Sequence, residues 1–103
     1  MQVARNEYSL KLQVNGRRLN RVVIDQRYRA KHPDVSDEVV LELVRELDGK
    51  TYEIEAERGE FQYFKVEPVF ASERPYRLVL VLCVTEDYLG VINAFRVQRS
   101  KRT

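Results

Sequence analysis

Tryptophan is absent, and cysteine, histidine and methionine occur once each, as Cys83, His32 and Met1. A single cysteine excludes an intrachain disulfide. Its place inside the apolar run 76–84 reads as a small buried hydrophobe in a reducing compartment. One histidine and one such cysteine cannot build a Cys/His zinc site, and no second histidine exists for a hydrolytic triad. Glycine is scarce, at four residues. Neither GxGxxG, GxxxxGK[ST] nor GxSxG occurs, which excludes the phosphate-cradling loops and the nucleophile elbow. Acidic residues crowd positions 34–60 without metal-loop spacing, so neither a metal nor a cofactor is expected. No stretch approaches the ~18 apolar residues of a membrane span. The opening Met1-Gln2-Val3-Ala4-Arg5-Asn6-Glu7 has no apolar signal core. The expectation is a cytoplasmic protein without membrane contact.

What the chain has is charge, unevenly placed. Charged residues make up 33% of the sequence, above the usual ~25%. Residues 1–31 carry eight basic side chains against Glu7 and Asp25, a net +6. Residues 32–73 carry four basic against twelve acidic, a net −8, and residues 74–103 six against two, a net +4. Basic ends around an acidic middle make a face for polyanions if the ends meet in space. Otherwise they are solvated surface.

The local patterns predict one domain over 1–103, with 98–103 a frayed tail, and an α+β fold. Asn15-Gly16 signals a type I′ hairpin. Val14 facing Arg17 then puts Leu12 opposite Leu19, Leu10 opposite Arg21 and Tyr8 opposite Val23. Asp25–His32 reads as a short helix stopped by Pro33. Ser36 is a good N-cap for a longer helix over 37–48, with Val40, Leu43, Val44 and Leu47 on one face and Gly49 beyond its end. Three or four strands follow as an antiparallel meander: 51–57, 60–70, the central strand 76–84, and 88–97. With Glu86-Asp87 as a two-residue turn, Arg77 lies opposite Arg96. Paired guanidiniums of this kind repel unless an anion sits between them.

The segment Tyr76-Arg77-Leu78-Val79-Leu80-Val81, a short acidic turn, then Tyr88-Leu89-Gly90-Val91-Ile92-Asn93-Ala94-Phe95-Arg96 and a basic end resembles the closing hairpin of RelE/ParE-like toxins. These are small ribonuclease toxins of α+β fold. The resemblance covers about the last thirty residues and the helix-then-sheet order. It implies RNA as ligand, in a ribosomal setting for some members, and a cognate antitoxin as protein partner. Arg77 and Arg96 would match the phosphate-binding arginines, and Arg99, Lys101 and Arg102 the basic C-terminal end. Arg18, Arg27, Lys31 and Arg74 would extend the RNA surface. Metal-independent cleavage needs a base, an acid and cations on the phosphate. His32 and Tyr76 are the candidates for proton transfer, although His32 reads first as a helix C-terminal residue before a proline. The N-terminal hairpin and the acidic stretch 53–60 depart from the family pattern. Ribonuclease activity therefore stays open beside a second reading: a non-enzymatic protein-interaction domain, monomer or homodimer, contacting its partner through Phe61, Tyr63 and Phe64, although these three read first as core.

Overall fold

The computed structural model of the chain describes residues 5–26 and 35–97. Its strands are β1 (Arg5–Val14), β2 (Arg17–Asp25), β3 (Ala56–Arg58), β4 (Phe61–Ala71), β5 (Arg74–Cys83) and β6 (Tyr88–Arg96). One helix, α1 (Asp37–Arg45), lies between β2 and β3. All six strands form one sheet in the order β1-β2-β6-β5-β4-β3.

This overturns the expected α+β fold with two helices and an antiparallel meander. Among the described residues there is one nine-residue helix against a six-stranded sheet, and the sheet is mixed. Strand β2 pairs in parallel with β6, from Arg21↔Tyr88 to Ile24↔Val91. Parallel neighbours need a long crossover, so no local pattern announces the pairing. Of the expected helix at Asp25–His32, Asp25 ends β2 and Gln26 lies in a turn. Residues 27–32 lie outside the described residues.

Asn15 and Gly16 both have positive φ, 55° and 75°, and they turn β1 into β2 with Val14↔Arg17 and Leu12↔Leu19. The register then slips: Ser9, not Leu10, meets Arg21, and Tyr8 meets Val22. An extra β1 residue at the bulge shifts every later pair, and a one-residue shift exchanges the faces. Val22 and Ile24 are therefore fully buried, while Val23 turns to the other side.

Ser36 caps α1, its hydroxyl accepting from the Val39 N–H, and Asp37 and Glu38 occupy the first turn, where the helix dipole favours negative charge. Val40, Leu43, Val44 and Leu47 are buried in one cluster with Val22, Ile24, Phe64, Leu78, Leu80, Leu82, Leu89 and Val91. The helix stops at Arg45, short of residue 48, and the chain passes through a turn to Gly49 at φ 82°. Asp37 is the buried charged residue of this core, at 6% exposure. Its carboxylate accepts from Asn6 Nδ2 at 2.7 Å, Tyr8 OH at 2.6 Å and Gln26 Nε2 at 3.2 Å. The helix start is thereby tied to β1 and to the end of β2.

Candidate functional site: the open face of the sheet

Strand β5 sorts its residues cleanly. Tyr76, Leu78, Leu80 and Leu82 are buried with the helix, while Arg77, Val79 and Val81 point the other way and stay half-exposed. Cross-strand partners share a face, so the registers extend this open face across the sheet. It takes Phe61, Tyr63 and Lys65 from β4, Gly90, Asn93 and Phe95 from β6, and Tyr88 beside Arg21 of β2. Val23 and Asp25 of β2 continue it to Arg5 and Glu7 of β1, and Arg58 of β3 lies beside Phe61. Among the described residues no element packs over this face.

Its middle sinks into a depression of about 470 Å³ between Arg5 and Phe61, lined by Tyr63, Val81, Tyr88 and Gly90. Glycine at the floor has a steric reason. A Cβ on Gly90 would come within 2.6 Å of Val81 Cγ1, closer than side chains pack. The volume falls in the range of binding clefts.

The charges on the face are largely engaged. Arg21 reaches Asp87 at 2.9 Å, Glu86 at 3.2 Å and Glu7 at 3.4 Å, with its guanidinium 5.4 Å from the centre of the Tyr88 ring. Arg77 binds the Glu67 carboxylate and lies 5.6 Å from the centre of the Phe95 ring. Lys65 meets Glu55 at 3.6 Å. Arg5 and Arg58 have no ion pair among the described residues. Pairs this exposed are weak and yield to salt or to a competing anion.

Hydrogen bonds from Asn20 and then Arg21 hold the Asp87 carboxyl below the usual carboxylate range. A depressed acid stabilises the fold above its unfolded value, near 4, and loses that contribution as pH falls through the lower folded value. Thermal unfolding followed below about pH 4 should therefore show an acid loss that Asp87→Asn reduces. An unchanged acid profile would show that the cluster adds nothing. Burial pushes the Tyr88 phenol up, so it remains a neutral hydroxyl at ordinary pH.

The residues expected to act together do not all meet. Arg77 pairs with Phe95, and Arg96 with Tyr76. The two arginines therefore stand on opposite faces, Arg77 on the open one and Arg96 exposed on the helix side. The cause is a register one residue away from the expected one: the turn is longer than two residues, and an extra β6 residue is inserted between Val79 and Leu80. Tyr76 is 5% exposed and sits in the core, away from any substrate on the open face. Of Phe61, Tyr63 and Phe64, weighed as core or as partner contact, Phe64 is core: it is 1% exposed and stacks on Tyr52 with ring centres 5.9 Å apart. Arg18 is exposed near the hairpin turn opposite Gln13, and Arg74 is exposed at the start of β5 opposite Ala71. Arg27, Lys31, His32, Arg99, Lys101 and Arg102 lie outside the described residues.

Sequence reasoning missed Arg5, Arg58, Tyr88 and Gly90 as parts of a shared surface. The signal for Gly90 was present as a lone glycine inside a strand pattern, which marks a bulge or a close approach. Among the described residues no group of three or more His, Cys, Asp or Glu side chains is arranged to hold a metal ion, and no helix is long and apolar enough to cross a membrane. No protein-family model, no curated protein and no solved structure matches the chain.

Proposed function

We propose that this is an RNA-binding domain that uses the open face of its sheet, as the RelE-like resemblance implies. The observation that carries the reading is the β2–β6 pairing. It joins the two basic ends of the chain in one sheet, so Arg5 and Arg21 share an uncovered face with Arg77, Phe61, Tyr63 and Tyr88. Arginines interleaved with aromatic rings suit an RNA strand, with cations to the phosphates and rings to the bases. The site would sit in the cytoplasm with its ligand. The reading is one of binding: arginines on opposite faces do not clamp a single phosphate, so a cut by Arg77 and Arg96 together is not part of it. A protein-interaction domain is the second reading, favoured by the carboxylates that already engage Arg21, Lys65 and Arg77.

Fluorescence anisotropy of a labelled RNA across a salt series tests the proposal. Affinity is expected to fall linearly on a log–log plot against salt. The double variant Arg5→Ala/Arg58→Ala should flatten the slope by up to about two phosphate contacts, with the fold intact. Binding that ignores salt, or no binding at low salt, favours the interaction domain. Gel analysis of the same samples with EDTA present reads out any metal-independent cleavage.

A further inference from the structure

We infer that the depression over Gly90 is a seat for an unpaired nucleobase, which makes the open face selective for single-stranded over duplex RNA. This rests on the RNA reading above and deepens it. Cations alone contact phosphates whether the strand is paired or not. The hollow of about 470 Å³ has Arg5 and Asp25 in its lining, but Phe61, Tyr63, Val81 and Ile92 give it a wall of rings and aliphatic groups that a phosphate does not use. That wall suits a group that brings its own flat apolar surface. Bases in a duplex are stacked and paired, and the deep major groove hides their edges, whereas a splayed base can leave its strand and lie against an aromatic ring.

The surroundings fit that occupant. Guanidinium groups already lie over Tyr88 and Phe95, whereas Phe61 and Tyr63 make only a tilted contact with each other, ring centres 6.5 Å apart. Those two rings are the stacking surfaces that remain. Arg5 stands at one end of the hollow, and Arg58 lies beside Phe61 at the other. They are five strand spacings apart in the sheet order, roughly 24 Å at ~4.8 Å per strand. Two cations at that separation suit a backbone that crosses the hollow and is held at each side of it.

The test compares a short unstructured 2′-O-methyl RNA, which resists cleavage, with the duplex it forms with its complement. Both are titrated with the full chain by anisotropy. Single strand should bind about tenfold more tightly, the order of one base–aromatic stack. Val81→Phe fills the hollow and Tyr63→Ala removes a wall. Each should bring single-strand affinity down to the duplex level with the salt slope unchanged. Circular dichroism checks that each variant is folded, and either one alone suffices if the other is not. Equal affinity of wild type for the two RNAs overturns the inference but leaves the RNA reading standing, as does a preference that survives in a folded variant. No affinity for either RNA at low salt removes both. Sedimentation on the same samples covers the remaining occupant: self-association that Val81→Phe abolishes, without RNA affinity, would assign the face to a second copy of the chain.

Discussion

Asp37→Ala is expected to lower the stability of the fold by roughly 2–4 kcal/mol, measured by chemical denaturation. Among the described residues three side-chain donors converge on this carboxylate, and each hydrogen bond to a charged group contributes roughly 1.5–3 kcal/mol. They share one acceptor group, so their contributions are not additive. The loss is mainly that of the hydrogen bonds to the charged carboxylate. Asp37 also ties the start of α1 to β1 and to the end of β2, so the substitution removes a polar link that the apolar packing of the helix does not replace. Asp37→Asn keeps the shape and one carbonyl oxygen, but turns the other acceptor into a donor facing donors. It should fall in between, at roughly 1–3 kcal/mol. A change below about 1 kcal/mol for alanine would mean that water replaces the carboxylate and that the tie is dispensable.

Leu43→Ala should cost roughly 2–5 kcal/mol, as deletion of a buried leucine side chain does. Leu43 has 0% exposure and sits in the cluster formed by the helix and β2, β4, β5 and β6. Alanine is the better helix former, so local propensity works against the loss and the cavity must account for all of it. The denaturant midpoint should move with little change in slope. Leu41, on the same helix but partly exposed, is the control, and Leu41→Ala should cost clearly less. Equal costs would place the packing face of the helix elsewhere.

The parts of the fold that were legible are those with short-range chemistry. Asn15-Gly16 demanded positive φ at two successive positions and received it. Ser36, the acidic first turn and the stripe Val40, Leu43, Val44 and Leu47 marked the helix and its buried side before any contact was known. The registers were not legible. The β1–β2, β4–β5 and β5–β6 ladders each contain an irregularity, and one extra residue in a ladder looks like any other in an alternating sequence. That is why Arg77 and Arg96, adjacent on paper, stand on opposite faces. It is also why Val23, expected opposite Tyr8, pairs with Glu7 and lines the open surface.

The sequence by itself determined the turn at Asn15-Gly16, the start of the helix after Ser36, and which side of that helix is buried. Each follows from a residue's own conformational preference or from the spacing of its apolar neighbours, and needs no distant partner. Only the tertiary structure decided that β2 lies beside β6, because a parallel pair bridged by more than sixty residues is held by contacts that no short window contains. The same pairing decided the candidate site. Arg5, Tyr63, Val81 and Gly90 belong to four different strands, and they share one hollow because strand order and register set which side chains share a face.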